Sequence, residues 1–140
     1  MTSDTTTAPT ASGIAADVRA GRSTAVDAVT EALLRIRARD DDVAAFQVVR
    51  TDRALVEAAA VDARSDLDAL PLAGVPIAIK DNVPVEGEPM RVGSTATSDA
   101  PQATDHPIVA RIRAAGGVVV GLTRVPELCV FGATDSAFGI

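Results

Sequence analysis

Apolar residues recur along this chain first at helical spacings and later in compact runs typical of strands. Residues 13–20 form a short helical stretch that Gly21 is expected to end. The next stretch carries apolar residues at spacings of three and four, as on one face of a helix: Val26, Val29, Leu33 and Ile36. Ser23 is the expected cap of this helix, and the acid cluster at residues 40–42 is expected to break it.

The following segments lead into a sheet. Residues 43–49 are mostly apolar and predict a strand, whereas residues 51–63 return to helical spacing. Residues 65–70 predict a surface connection. The run Gly74-Val75-Pro76-Ile77-Ala78-Ile79-Lys80 then predicts a buried strand that ends at the lysine.

The chain beyond this strand is irregular before it becomes regular again. Residues 83–105 carry glycine or proline at several positions and predict a long loop, and loops of this length are usually functional or disordered. A helix is expected to open at residues 104–107 and to end at Gly116-Gly117. Its predicted buried face consists of Ile108, Val109, Ile112 and Ala115. Residues 118–121 predict a β-branched strand.

Strand, loop, helix and strand in this order predict a βαβ crossover with parallel strands, and hence an α/β fold. Ligands of parallel sheets bind beyond the carboxyl ends of the strands, which here are followed by residues 80–82 and 121–124. The predicted organisation is a disordered tail over residues 1–12, rich in Thr, Ser and Pro, and a folded part over residues 13–140. That part consists of two helices followed by the βαβ unit around Lys80.

Composition and charge exclude several function classes. The chain is 47% hydrophobic with only three aromatic residues, so its core must be aliphatic. Its net charge of −6 gives no basic patch and argues against nucleic acid as a partner. Cys129 is the only cysteine and His106 the only histidine, which excludes an internal disulfide and argues against a zinc site. No metal or cofactor is expected, and His106 is predicted to start a helix.

The sequence also carries expectations about location. The first ten residues lack the basic and apolar regions of a signal peptide. No apolar run approaches the roughly 20 residues that span a bilayer. We therefore expect a cytoplasmic protein with no membrane partner, and the excess of Arg over Lys suggests a bacterial source.

The chemistry-bearing candidate is Lys80, the only lysine among 13 basic residues. Lysine, unlike arginine, can be held uncharged by burial and then act as a base. At the end of a buried strand Lys80 is therefore a candidate general base, and strand alternation directs Asp81 to the opposite face. The alternative is that Lys80 rests its stem on apolar surface and keeps its amine in water.

Several segments together resemble the amidase signature family. Residues 74–82, Gly-Val-Pro-Ile-Ala-Ile-Lys-Asp-Asn, are similar to the lysine segment of that family. Residues 105–121 resemble its next helix and strand, and residues 122–128 resemble its Lys-Thr-Asn-x-x-Glu-Phe stretch, with Leu122-Thr123-Arg124 in place of Lys-Thr-Asn. Phe138-Gly139 lies where the family has Phe-Gly before an Asn-Pro-Trp turn.

The resemblance implies an amide hydrolase with a Ser–cis-Ser–Lys triad, in which Lys80 is the lysine. The triad serines of the family lie in a Gly-Gly-Ser-Ser-Gly-Gly-type loop, and no serine of this sequence lies in such a loop. We therefore expect the N-terminal portion of a mixed, mainly parallel sheet flanked by helices, which stops before the serine loop. A natural truncation, a split gene or an incomplete gene prediction would each produce such a piece, which is expected to be inactive alone.

Two further segments are weaker candidates. Cys129, Val130 and Phe131 align with a segment that lines the acyl pocket in fatty acid amide hydrolase, a member of the family, and are candidate substrate-binding residues. The alternative for Cys129 is a small buried hydrophobic residue. Gly93-Ser94 is a weak nucleophile signal, because no base can be identified beside it.

Three other functions remain as alternatives. An amidotransferase subunit that receives glutamine shares the same signature. A non-catalytic binding module made of half the fold would leave exposed strand edges, which argues against it. Schiff-base chemistry of Lys80 with pyridoxal phosphate would need a phosphate-binding loop that is not evident. The expected partners are a small amide substrate and the missing C-terminal part of the fold, with a homodimer left open.

Overall fold

The computed structural model describes residues 9–139. Three helices and a short strand come first: α1 (Ala11–Arg19), α2 (Ala25–Val43), β1 (Phe46–Val49) and α3 (Thr51–Asp62). A 3₁₀ turn at Leu67–Ala69 leads to β2 (Pro76–Lys80), α4 (Pro107–Ala114) and β3 (Val118–Thr123). A second 3₁₀ turn, Glu127–Cys129, follows β3. The helical and strand segments expected from the spacing of apolar residues are therefore present, with different ends.

The ends of the first two helices correct the sequence-based boundaries. Helix α1 begins at Ala11 because the Thr10 side chain accepts the Gly13 N–H, so residues 11 and 12 do not belong to a tail, whereas residues 1–8 lie outside the described part. Thr24, and not Ser23, caps α2, since it forms a reciprocal capping box with Asp27.

The acid cluster does not break α2, which continues to Val43 and ends at Ala44 in the left-handed conformation. Asp40 stabilises this end, because its carboxylate accepts the N–H groups of Ala45 (2.8 Å) and Phe46 (3.2 Å). An aspartate near a helix C-terminus is unfavourable for the helix dipole, but here it satisfies the backbone where the chain enters β1.

The sheet is mixed and has the strand order β1-β3-β2. Strands β2 and β3 are parallel, with Lys80 opposite Thr123, and β1 is antiparallel to β3. The crossover between β2 and β3 contains the predicted loop 83–105, which folds back on itself through isolated bridges such as Glu86 with Gln102. The α/β class and the parallel βαβ unit are thus confirmed.

Aliphatic cores cover both faces of the sheet. On one face Val118 and Val120 of β3 pack against α2 and α3, and on the other Val119 and Leu122 pack beneath α4. Val109 of α4 is fully buried as predicted, but Ile108 is exposed, because the helix turns that position away from the sheet. Within residues 9–139 no helix is both long and apolar enough to cross a membrane.

Candidate active site

The carboxyl ends of β2 and β3 lie side by side, as the parallel register requires. Lys80 is the last residue of β2 and pairs with Thr123, and the Asp81 N–H continues the ladder by donating to the Thr123 carbonyl (3.1 Å). The Thr123 hydroxyl donates to the Ile79 carbonyl (3.4 Å). This is the edge of the sheet at which the sequence predicts a site.

Lys80 is exposed in this chain, as expected from the alternative in which its side chain reaches water, and the burial that a neutral base requires is not found among the described residues. Residues of β2 alternate: Ile79 is buried beneath α4, whereas Ala78 and Lys80 point to the other face and are exposed. Helices α2 and α3 cover that face at β3 but leave the end of β2 open. The Lys80 side chain is therefore accessible to water at the open end of this face.

Asp81 has the opposite environment, with 1% of its surface exposed. Its Oδ1 accepts the Arg91 N–H (3.2 Å), and its backbone carbonyl accepts the Val92 N–H (3.1 Å). Burial raises the pKa of the Asp81 carboxyl, and the N–H groups of Arg91, Val92 and Gly93, with the charge of Arg91, only partly oppose this. Strand alternation predicts correctly that Asp81 points away from Lys80, but it does not reveal these contacts.

Residues 91–94 form a tight reverse turn, the 91–94 turn, closed by the Ser94 N–H donating to the Arg91 carbonyl (3.0 Å). Its central residues, Val92 and Gly93, both lie in the left-handed region, at φ +52° and +68°. That combination is typical of a type I′ turn, and it is unusual for a β-branched residue such as Val92. The turn is therefore held by its surroundings more than by its own sequence.

The 91–94 turn also contacts the segment that follows β3. The Val92 carbonyl accepts the Leu128 N–H (2.8 Å), and the Ser94 hydroxyl donates to Glu127 Oε1 (2.8 Å). Ser94 is 2% exposed and its Oγ also accepts the Ala96 N–H, so its hydroxyl is committed to structure. Ser94 thus has a carboxylate partner, Glu127, that could not be identified from the sequence. Its burial nevertheless closes the hydroxyl to a substrate.

We expect Gly93→Ala to destabilise the fold more than Gly21→Ala, although both glycines have nearly the same φ, +68° and +67°. An alanine in this conformation costs about 1–2 kcal/mol at either position. At Gly93 the added Cβ would also come within 2.6 Å of the Val125 carbonyl oxygen, whereas nothing lies within 4 Å at Gly21. The steric term should add about 1–3 kcal/mol to the free energy of unfolding lost by Gly93→Ala.

Urea unfolding of the two variants beside the parent chain, followed by circular dichroism, measures this difference. Equal losses in the two variants would mean that the 91–94 turn is not packed against the segment after β3.

The predicted substrate-binding residues lie on the surface next to this turn. Leu128 and Cys129 both have positive φ, at +52° and +58°, so this segment is strained. Val130 and Phe131 are exposed, Phe131 by 72%, and Cys129 is half-buried. Cys129 is therefore not the buried hydrophobic residue offered as its alternative, and the strained backbone displays the apolar side chains to solvent.

A buried ion-pair network, which sequence reasoning missed, anchors the loop over residues 83–105 to the rest of the fold through Glu88. The Arg50 side chain is 2% exposed and donates to Glu88 (2.8 Å), Glu57 (2.6 Å) and the Val119 carbonyl (2.6 Å). Glu57 also pairs with Arg113 of α4. Burial raises the pKa of Glu57, but its bonds to Arg50 and Arg113 lower that pKa below its ordinary value.

His106 is the predicted helix-start residue: it is the N-cap of α4, where its Nδ1 accepts the Ile108 N–H (3.2 Å). In the described part of the chain no three His, Cys, Asp or Glu side chains are grouped so that they could hold a metal ion.

Comparison with known proteins decides the family. A sequence model of the family named Amidase matches residues 27–140. This chain belongs to the amidase signature family. It is 47% identical over 109 residues to the AmiB2 protein of Mycobacterium tuberculosis, which carries an amidase name; the match covers 76% of this chain and 23% of AmiB2.

Two further relatives of this amidase signature chain extend the comparison. It is 42% identical over 132 residues to a glutamyl-tRNA(Gln) amidotransferase subunit of Salinispora tropica, covering 92% of this chain and 27% of that protein. It superposes on the crystal structure of the peptide amidase of Stenotrophomonas maltophilia with a TM-score of 0.79 and 31% identity, covering 93% of this chain and 27% of that one. The chain thus spans about a quarter of the length of these relatives.

The family match includes every feature of the candidate site: the end of β2 with Lys80, the buried Asp81, the 91–94 turn and the segment over residues 127–131. The described part of the amidase signature chain therefore carries a lysine-bearing strand end and an exposed apolar segment, joined by a partly buried turn.

Proposed function

We propose that this chain supplies the general base, Lys80, of an amidase that hydrolyses a carboxylic amide to an acid and ammonia or an amine. The observation that supports it is the position of its only lysine, at the carboxyl end of a parallel strand within the residues matched by the amidase family. The nucleophilic and bridging serines would come from a Gly/Ser-rich loop outside these 140 residues. We call this chain together with the polypeptide that supplies that loop the complete amidase.

In the proposed reaction the neutral amine of Lys80 takes a proton from the bridging serine, which takes one from the nucleophilic serine. The nucleophile attacks the carbonyl carbon, the amide nitrogen leaves with a proton returned along the same relay, and water hydrolyses the acyl-enzyme. This mechanism requires that Lys80 be removed from water. The open face of β2 at Ala78 and Lys80 is where the serine-bearing polypeptide would dock and exclude solvent.

Cys129, Val130 and Phe131 are proposed to line the acyl side of the substrate site. Their segment is bound to the 91–94 turn, which in turn is bound to the residue after Lys80. The exposed Val130 and Phe131 offer an apolar surface to an acyl chain, and they would be covered by substrate or by the remainder of the complete amidase.

A second candidate is an amidotransferase subunit that hydrolyses glutamine and passes ammonia to a partner. The 42% identity to a glutamyl-tRNA(Gln) amidotransferase subunit favours it. Purified complete amidase that releases ammonia from glutamine only with its partner subunits would support this second candidate, whereas hydrolysis of simple amides by the single protein supports the first. A cytoplasmic location and a homodimer remain predictions.

We expect the 140-residue chain alone to be inactive and not to be labelled by a serine-directed fluorophosphonate. Among the described residues, Ser94 is the only serine that is both buried and bonded to a carboxylate, and its burial closes it to reagents. The complete amidase should be labelled on one serine outside these residues. Mass spectrometry of the labelled peptide measures this, and labelling of Ser94 or hydrolysis of an amide by the chain alone would refute the proposal.

A further inference from the structure

We propose that Asp81 is a positioning residue. Through the 91–94 turn it fixes the position of the acyl-side segment, residues 128–131, relative to Lys80. This inference rests on the proposed function, because it needs Lys80 to be the base and residues 129–131 to contact the acyl group. It adds a role for a buried carboxylate that takes no part in the proton relay.

The first link runs from the strand to the turn. Asp81 follows Lys80 directly, and the two side chains leave the strand on opposite faces, one buried and one exposed. The Asp81 side chain accepts the Arg91 N–H and its backbone carbonyl accepts the Val92 N–H. An aspartate that binds consecutive backbone N–H groups in this way fixes a turn in position as well as in conformation.

The second link runs from the turn to the acyl-side segment. Val92 accepts the Leu128 N–H, Ser94 donates to Glu127, and Gly93 packs directly on Val125 and Pro126. The turn touches both Asp81 and residues 125–128, so a shift of the turn shifts the segment.

The conformation of the turn shows that it depends on these contacts. Val92 is β-branched and lies at φ +52°, a conformation that is unfavourable for such a residue. Contacts from outside the turn must therefore stabilise it. Without the side-chain acceptors of Asp81 the turn is expected to relax, although the backbone bond of Asp81 to Val92 remains, and the segment bound to the turn would move relative to Lys80. Lys80 itself would stay in place, because β2 is held by its pairing with β3.

The test compares two substrates in the complete amidase: acetyl-p-nitroanilide, whose acyl group is expected to make little contact with the segment, and octanoyl-p-nitroanilide, whose longer acyl chain is expected to lie along it. Asp81→Leu keeps the branched shape of the side chain, with larger methyl groups in place of the two oxygens, and removes the side-chain acceptors. We expect it to lower kcat/KM for the octanoyl substrate about 10- to 100-fold, with most of the effect in KM, and to change the acetyl value much less. Asp81→Asn keeps an acceptor oxygen without a buried charge and should restore most of the octanoyl-to-acetyl ratio.

The controls separate this inference from a merely structural role and from the proposed function. Asp68→Asn, at an exposed aspartate, should leave kcat/KM for both substrates unchanged. Asp81→Leu that lowers thermal stability but leaves the octanoyl-to-acetyl ratio at the parental value overturns the positioning role. Lys80→Met should lower kcat/KM for both substrates by the same factor. Full activity of that variant would instead overturn the proposed function.

Where Asp81→Leu does not yield folded protein, Ser94→Ala tests the other end of the turn. It removes only the hydroxyl that donates to Glu127, and we expect the octanoyl-to-acetyl ratio to fall in the same direction by a smaller factor. An unchanged ratio in soluble, folded Ser94→Ala overturns the inference.

Discussion

Lys80→Met in the complete amidase is expected to lower kcat by about 10²- to 10⁴-fold, the range that removal of a general base produces. Methionine keeps the length and the apolar stem of lysine but cannot accept a proton. Because Lys80 is the only lysine of the chain, no neighbouring amine within these residues can take over its role. Initial rates and single-turnover kinetics with a chromogenic amide measure the loss, and KM should change little.

Two control variants define what the Lys80 result means. Arg111→Met removes an exposed cation of similar length from α4 and should keep nearly full activity. Lys80→Arg keeps the positive charge but cannot act as a neutral base, so it should be as inactive as Lys80→Met. Activity retained in Lys80→Arg would show that the residue acts through its charge and not as a base.

The sequence was sufficient for the elements that depend on local spacing and for the position of Lys80. The run over residues 74–80 predicts β2 because aliphatic residues precede the lysine, and the helix and strand that follow require a parallel partner. The sequence left open whether Lys80 is buried as a base or reaches water, because its exposure depends on how far α2 and α3 extend across the sheet, which is a property of packing between distant segments.

The role of residues 81–94 was equally inaccessible to sequence reasoning. Asp81 looked like part of a motif, and Gly93-Ser94 like an isolated nucleophile signal, because the contact between residues 94 and 127 joins positions far apart in the chain. No motif around Arg50 sets it apart from the other arginines of the chain. The signal that could have singled it out is its place between a strand and a helix, where a long side chain is directed into the fold.

Arg50→Met is expected to lower the free energy of unfolding by about 3 kcal/mol. The Arg50 side chain is 2% exposed and donates to Glu57, Glu88 and the Val119 carbonyl, so its removal leaves three buried or half-buried acceptors short of a donor. The cost is limited because Arg113 still pairs with Glu57 and Arg53 with Glu88. The urea midpoint should fall by about 1.5 M for a slope near 2 kcal/mol/M.

The matched control is Arg22→Met, which removes an ion pair with Asp17 whose two side chains are both at least half exposed. It should cost at most about 1 kcal/mol. The measurement uses the 140-residue chain or, where that chain has no cooperative transition, the complete amidase. Equal midpoints for the two variants would mean that the network does not hold the loop over residues 83–105.

The pH dependence of stability provides an independent check on the same network. Arg50 and Arg113 lower the pKa of Glu57 below its ordinary value near 4.5, so the stabilisation from ionised Glu57 is fully present above that value. It is lost as the pH falls through the lowered pKa of the folded state. Arg50→Met removes one of the two cations responsible, so the variant should lose less stability than the parent between about pH 5 and pH 3. The two stability curves should therefore approach each other in acid, because the Glu57 carboxylate that pairs with Arg50 in the parent is then protonated in both proteins.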